Sequence, residues 1–419
     1  MRIIDKDFLM DIVSKLLSIG EEDGYVKREA FTREALMAES FVIARMQDIG
    51  LDVRRDEVGN IFARRRGSNN KLPTVAAGSH IDTCLSGAMH ESAVGIAVIL
   101  AAMEALQYEE CLHPLEVIVF SASEYSRFGM SRIGSRFMTD ENTSKYLVEA
   151  ESHGYSSFFS AISAFGHDAR HSSSVLVPKD RYKSFIEVYA ARRDDSYLGK
   201  LGLVRTVGAR TRLRVVVSGD AVYGTNSPKG KQHDVVLAAS KLMIGLDELV
   251  RGSAQGGLHI CIGGLTAEPN AIGAIARRVE FYADIAGYDD RMVMNMLVSV
   301  SDLVDSIVKT STVAVVIDAV DIQKPVSMAG DVAGVLESKL RKNEGESYMV
   351  YSTETHDGGF MSKVTPSAML EVPFIMYGSR EHVAVDALVL AAEVLADSML
   401  EMSGLLWKSG SEHYMKING

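Results

Sequence analysis

Between Val75 and Leu100 the chain reads VAAGSHIDTCLSGAMHESAVGIAVIL: an apolar run to Gly78, a polar loop, then a long apolar stretch. The run predicts a short buried strand over Val75 to Gly78 and the apolar stretch a helix over Glu91 to Leu106. A loop between such a strand and helix lies at the carboxyl end of the strand, where open α/β sheets build ligand sites. This one carries His80, Asp82, His90 and Glu91 among small residues such as Ser79, Ser86, Gly87 and Ala88. Imidazoles and carboxylates gathered this way suit a metal ion. A polar loop satisfied by its own hydrogen bonds has the same composition.

A second strand, Leu115 to Phe120, ends at Ser121-Ala-Ser-Glu-Tyr125 and delivers Glu124 in the same manner. Strand, helix and strand in this order form a βαβ unit. Upstream, Leu9, Ile12, Val13, Leu16 and Leu17 recur at helical spacing over residues 6–19, with Gly20 as a stop. Thr32 is a helix N-cap candidate, and residues 51–55 and 60–65 alternate as a hairpin about Asp56 to Gly59. Phe185 to Tyr189 is a further strand candidate. From Arg210 the texture changes: strands over 212–217, 258–262, 278–285 and 312–318, with helices over 233–250 and 288–308, run β-α-β-β-α-β. That order is the pattern of a ferredoxin-like sandwich. Beyond Pro325 the α/β pattern returns, with helices near 330–342 and 384–402 and a strand near 368–372. The expected fold is therefore an α/β domain with a mixed sheet, residues 1–209 and 327–419, interrupted by an α+β domain, residues 210–326.

The net charge of −11 and a single short basic cluster, Arg64 to Arg66, argue against nucleic acid as a partner. Three cysteines give no disulfide framework and point to a reducing compartment. The first residues lack a signal-peptide core, and Ala93 to Leu106 is too short to cross a bilayer. The expectation is a soluble, cytoplasmic protein with no membrane or nucleic-acid partner.

Several runs resemble the M20 metallopeptidase-like amidohydrolases, in particular their carbamoylase and allantoate amidohydrolase branch. Gly78-Ser-His-Ile-Asp-Thr83 is similar to that branch's GSHxDT, and Ser126-Arg-Phe-Gly with Gly134-Ser-Arg136 to its SRFG and GSR runs. Asp56-Glu-Val-Gly-Asn60, Glu268-Pro-Asn270 with Val279-Glu-Phe281, and His356-Asp357 match further segments, so the likeness covers nearly the whole chain. It implies a catalytic α/β domain and a smaller lid domain through which two copies form a homodimer. The implied reaction is hydrolysis of a non-peptide C–N bond of a small molecule at two divalent metals, zinc or manganese, with a glutamate as general base.

Position by position, the resemblance assigns His80 as a metal ligand and Asp82 as the carboxylate orienting it. Glu91 stands at the bridging aspartate, Glu124 at a carboxylate ligand and His382 at the last histidine ligand. The general-base position is Ser123, a further ligand position is Tyr189, and the histidine of the lid is replaced by Tyr223. The substrate-carboxylate clamp is Ala286, and its asparagine partner Gly273. A serine cannot act as a carboxylate base, and general-base catalysis is typically worth about 10²–10⁴-fold. Three readings follow. The first is an amidohydrolase-like enzyme with altered chemistry at zero or one metal per chain, using polar groups such as Ser123, Tyr189, Tyr223 and His356. The second is an inactive relative that serves as a dimeric binding or scaffold protein. The third is an ordinary two-metal N-carbamoyl amino acid or allantoate amidohydrolase.

Overall fold

The computed structural model describes residues 3–84, 90–125, 127–152, 155–167, 175–219, 234–253, 256–311, 313–378 and 380–404. Helix α1 (Lys6–Ser18) starts at Asp5, whose carboxylate accepts from the Phe8 N–H, and buries Leu9, Ile12, Val13 and Leu16. The short ladder β1 (Glu21–Glu22) and β2 (Tyr25–Val26) leads to α2 (Arg33–Asp48), capped by Thr32. The hairpin β3 (Asp52–Arg55) and β4 (Ile61–Arg65) turns on Asp56, whose carboxylate accepts from the N–H groups of Val58 and Asn60. Then come β5 (Thr74–His80), α3 (Glu91–Ala105) and β6 (Leu115–Phe120), with β5 and β6 parallel neighbours. Helices α4 (Ile133–Thr139), α5 (Thr143–Ser152) and α6 (Phe158–Ala164) precede β7 (Tyr182–Arg192) and β8 (Leu201–Val207).

The next elements are β9 (Ala209–Ser218), α7 (Val235–Arg251), β10 (Leu258–Glu268), β11 (Arg278–Gly287), α8 (Asp290–Ser311), β12 (Ala314–Gln323) and β13 (Val326–Ser327). The chain closes with α9 (Gly330–Lys342), β14 (Ser347–Ser352), α10 (Asp357–Met361), β15 (Ser367–Tyr377), β16 (Arg380–Val383) and α11 (Val385–Ser403). Two compact units result. One comprises Met1–Leu203, Met328–Met349 and Asp357–Gly419, the other Val204–Ser327 and Val350–His356.

The first unit is built on a mixed sheet whose strands run β8-β15-β7-β5-β6-β4-β3. β15, β7, β5 and β6 are parallel, and the β3–β4 hairpin closes one side antiparallel. Every residue of β5 and β6 is buried, because a parallel sheet covered on both faces leaves no face for water. One face packs residues from α1, α3, α9 and α11 into a single aliphatic core. The other holds an aromatic cluster in which Phe128 meets Phe158 edge to face at 5.4 Å and Phe120 meets Phe185 at 5.8 Å. Helix α3 is apolar all round because Ser92 through Met103 are all buried. Its close approach to the sheet depends on Gly95, where a Cβ would collide with the Ser79 side chain and the Val188 carbonyl.

In the second unit β9, β10, β11 and β12 pair antiparallel in the order β10-β11-β9-β12, with α7 and α8 packed on one face. This is the ferredoxin-like topology expected from the order of its elements. Strand alternation puts Leu213, Val215 and Val217 against the helices, and turns Arg210, Arg212 and Arg214 to the other face. There Arg212 Nε lies 2.8 Å from Asp284, and Arg214 bridges Glu280 at 2.8 Å and Asp318 at 3.2 Å.

Candidate active site

His80 is the last residue of β5, and the chain leaves the sheet there with no turn residue to spare. The loop is held by Arg28, whose side chain is fully buried. Its Nε donates to the Ile81 carbonyl at 2.7 Å, and Nη1 to the Leu16 and Ile19 carbonyls at 2.6 and 2.8 Å. Nη2 reaches Ser92 Oγ at 3.1 Å, and the Arg28 N–H donates to Thr83 Oγ1 at 2.7 Å. One guanidinium thus ties the end of α1 and the start of α3 to the loop that carries His80 and Asp82. His80 is buried with Nδ1 3.3 Å from Asp82 Oδ1. The other Asp82 oxygen accepts the Glu124 N–H at 2.9 Å, so the loops after β5 and β6 share one carboxylate.

Past β6 the backbone takes a left-handed turn at Ala122 and places Ser123 and Glu124. Ser123 is buried, and its hydroxyl donates to Asp357 Oδ2 at 3.3 Å. Asp357, at the start of α10, is fully buried and collects two further donors: Ser135 Oγ at 2.5 Å and Arg132 Nη1 at 3.4 Å. Arg132 has φ 57° and ψ 39°, the left-handed region that non-glycine residues seldom adopt. Its N–H donates to the Ser123 carbonyl at 2.8 Å, and its carbonyl accepts from Ser135 Oγ at 3.2 Å.

Charge is concentrated here with little water to screen it. Burial lowers the Arg132 pKa, yet Asp357, Glu124, Glu187 and Glu91, in that order of influence, hold it above its usual value. For His80, burial and the Arg132 charge oppose protonation. The hydrogen bond and charge of Asp82, with Glu124 behind them, raise its pKa to about 9, so it carries a proton at neutral pH. Burial, followed by the Glu187 charge, raises the Asp357 pKa against the opposing pull of Arg132.

The remaining candidates lie as follows. Glu91 opens α3 and acts on Arg132 electrostatically. Its neighbour His90 is held by Glu381, which accepts from the His90 N–H at 2.7 Å and stands 3.2 Å from Nδ1. Because β16 alternates, Glu381 turns toward His90 and His382 to the opposite side, where its exposed ring lies 5.6 Å from that of Tyr377. The Tyr189 hydroxyl donates to Glu371 at 2.6 Å. This fully buried carboxylate also takes two bonds from Arg193 and one from Tyr348. His356 is buried with Nε2 2.7 Å from Ser352 Oγ. Tyr223 falls outside the described residues.

Among the described residues, no three His, Cys, Asp or Glu side chains converge closely enough to hold a metal ion. The donor set agrees with that. Glu124 and Glu91 already act on the Arg132 guanidinium, which donates to Asp357 at 3.4 Å. The described residues as arranged do not present the donor set that two divalent ions need.

Asp357 was read only as part of a motif and Arg28 not at all, and three further participants escaped the reading of the sequence. Arg132 lies between two recognisable runs, Ser126-Arg-Phe-Gly and Gly134-Ser-Arg136, and has no signature of its own. Ser135 and Glu187 were visible only as motif neighbours. Glu187 sits mid-strand in β7, where its Oε2 accepts the Gly358 N–H at 2.6 Å. A carboxylate inside an otherwise apolar strand was the one signal that could have singled it out.

No family model matches the chain. Among curated proteins it is 26% identical over 412 residues to a ureidoglycolate hydrolase of Oryza sativa subsp. japonica, covering 96% of this chain and 85% of that one. It is 27% identical to an allantoate amidohydrolase of Bacillus subtilis, covering 95% and 98% of the two chains. It is 24% identical to an N-carbamoyl-L-amino-acid amidohydrolase of Paenarthrobacter aurescens, covering 88% and 90%. Among solved structures, that of AtUAH in complex with (S)-hydroxyglycine superposes with a TM-score of 0.89 at 25% identity, over 96% of this chain and 98% of the other. A hydantoinase/carbamoylase family amidase from Burkholderia vietnamiensis gives 0.85 at 20% identity, over 96% and 98%, which speaks for the fold alone. The relatives are thus amidohydrolases acting on C–N bonds, and the likeness read from the sequence to the carbamoylase branch stands.

Proposed function

We propose that this homologue of the M20-like carbamoylase and allantoate amidohydrolases acts on a small-molecule, non-peptide amide or ureido C–N bond through altered chemistry with at most one metal per chain. The relatives support the class of reaction. The observation that carries the altered chemistry is Ser123. At the position where the family places a carboxylate base, its hydroxyl is spent on the buried Asp357. The polar groups gathered on Asp357 are then Ser135 and Arg132, whose hydroxyl and guanidinium are the donors available to a carbonyl or ureido oxygen. In the homodimer implied by the family, the second unit is the part offered for pairing, and both edge strands of its sheet, β10 and β12, carry exposed positions.

The test is release of ammonia or amine from a panel of N-carbamoyl amino acids, allantoate, ureidoglycolate and simple amides, with and without manganese. Expected is turnover of at least one amide or ureide that does not rise with added manganese, and little from the N-carbamoyl amino acids. Manganese-dependent turnover of N-carbamoyl amino acids at ordinary enzyme rates, about 1–10³ s⁻¹, would refute the altered chemistry. Binding of a panel member without turnover of any favours the binding-protein reading instead.

A further inference from the structure

The carboxylates that the resemblance assigns to divalent metals already face a cation, and the chain supplies it. Arg132 is buried, 7% exposed, and its backbone is fixed on both sides by the Ser123 carbonyl and the Ser135 hydroxyl. It adopts a left-handed conformation, so the position of its side chain is set against local preference by the surrounding structure. The guanidinium donates to Asp357, which is in turn held by Ser123 and Ser135. Glu124, Glu187 and Glu91 attract the same guanidinium, and His80 and Arg132 repel each other. Glu91, Glu124 and His80 are three of the four positions at which metal ligands were expected.

A carboxylate nest of this kind needs positive charge: Asp357 and Glu187 are buried together, with Glu124 and Glu91 half-buried beside them, and such anions destabilise one another. Two divalent ions would meet that need, and so does a buried guanidinium. Both solutions cannot hold at once, because a divalent ion beside a buried guanidinium sits against a like charge in a medium that screens poorly. An ordinary structural ion pair would engage Asp357 alone. Here the same charge acts on carboxylates delivered by three further elements: α3, the loop after β6, and β7.

We infer that Arg132 is a resident cation that takes the electrostatic place of the metal centre, neutralising Glu91, Glu124, Glu187 and Asp357 and excluding a divalent ion from them. The inference rests on the site being the one the relatives use, but its readout is metal uptake rather than turnover. A protein that binds no metal and hydrolyses nothing overturns the functional reading and leaves this one standing. Stoichiometric uptake of even one metal per chain overturns this one, whatever is hydrolysed.

The experiment compares the full-length protein with Arg132→Met and Arg132→Lys. Each is dialysed against zinc or manganese, desalted and measured by elemental analysis, with isothermal titration of the metal alone. The wild type should retain no stoichiometric metal, and EDTA should leave its melting temperature unchanged. Arg132→Met should gain one equivalent, with zinc affinity at least about 100-fold above the wild type, on the order expected for removing one like charge from a poorly screened site. Arg132→Lys, which keeps the charge, should behave as the wild type. Tight zinc in the wild type, or a folded Arg132→Met that gains none, overturns the inference. Should Arg132→Met fail to fold, Glu91→Gln and Glu124→Gln in the wild-type background decide. A resident cation losing its counter-charges predicts a lowered melting temperature with zinc absent. No change in either variant overturns the inference.

Discussion

Arg28→Met tests whether one buried guanidinium organises the candidate site. Methionine retains the volume of the arginine stem, so the change removes donors more than packing. It leaves the Ile81, Leu16 and Ile19 carbonyls without donors that now stand at 2.6 to 2.8 Å, and strips Ser92 Oγ of a weaker one. A buried acceptor left unsatisfied costs about 1–3 kcal/mol. Three strong ones at the lower half of that range give about 3–6 kcal/mol. Two offsets apply. The Leu16 and Ile19 carbonyls belong to the end of α1, where water can reach once the guanidinium has gone. Arg28 is also costly to bury, as its pKa, lowered to about 10 by desolvation against the pull of Asp82, indicates. The expected net loss is about 3 kcal/mol, the low end for breaking a buried charged network. Urea unfolding followed by circular dichroism should show the first transition midpoint move down with its slope unchanged. A loss below about 1 kcal/mol would show that the strut is dispensable and that the loop is held by its ends alone.

Gly95→Ala should destabilise the first unit by about 1–3 kcal/mol as an overpacking change, against the helix propensity it gains, because the new methyl meets the Ser79 side chain and the Val188 carbonyl; a thermal melt that rises instead refutes the tight contact. Tyr189→Phe removes one of four hydrogen bonds to Glu371 and should cost about 1 kcal/mol by urea unfolding, since Arg193 and Tyr348 still satisfy that carboxylate. Acid should weaken the second unit. Burial raises the Asp284 pKa, but Arg212 and Arg210 outweigh it and hold the group below its ordinary value; the same holds for Glu280 beside Arg214 and Arg278. A carboxylate that binds its proton less tightly folded than unfolded adds stability above the ordinary carboxylate range, near pH 4, and loses it as the pH falls through and below that range. Asp284→Asn should therefore flatten the fall in stability between about pH 5 and 2, and an unchanged slope would sink the assignment.

Much of the architecture was legible because periodicity reports burial. The run Leu115 to Phe120 is apolar without alternation, save for Glu116 which Arg181 and Tyr182 satisfy, because both faces of β6 are covered, and the strand found there has those bounds. The N-cap at Thr32 and the β-α-β-β-α-β order between Ala209 and Gln323 likewise follow from local chemistry. What escaped was short or interrupted. α4 begins with Ile133-Gly134-Ser135 and is too brief to show a helical period; its close packing needs Gly134, where a Cβ would run into Asn60 Oδ1. β8 carries a glycine at its second position, and β16 has four residues. At the site, the chain showed which residue types stand at which motif positions. It could not show that Glu381 rather than His382 is the residue of β16 that faces His90, or that Arg132 reaches the carboxylates, because both depend on long-range geometry.

The placement of β15 has a consequence for how the protein is made. β7 pairs with β5 on one side and with β15 on the other, so Tyr189 waits for a partner, Glu371, 182 residues further along the chain. Between them lies nearly all of the second unit, whose strands and helices follow one another from Val204 to Ser327. During synthesis the ferredoxin-like unit can therefore complete its sheet while β7 still has an open edge. A ribosome stalled once Ser327 has cleared the exit tunnel but before Ser367 emerges should present a largely complete, protease-resistant second unit beside a half-finished first one, whose exposed strand is the point of entry for chaperones or for aggregation.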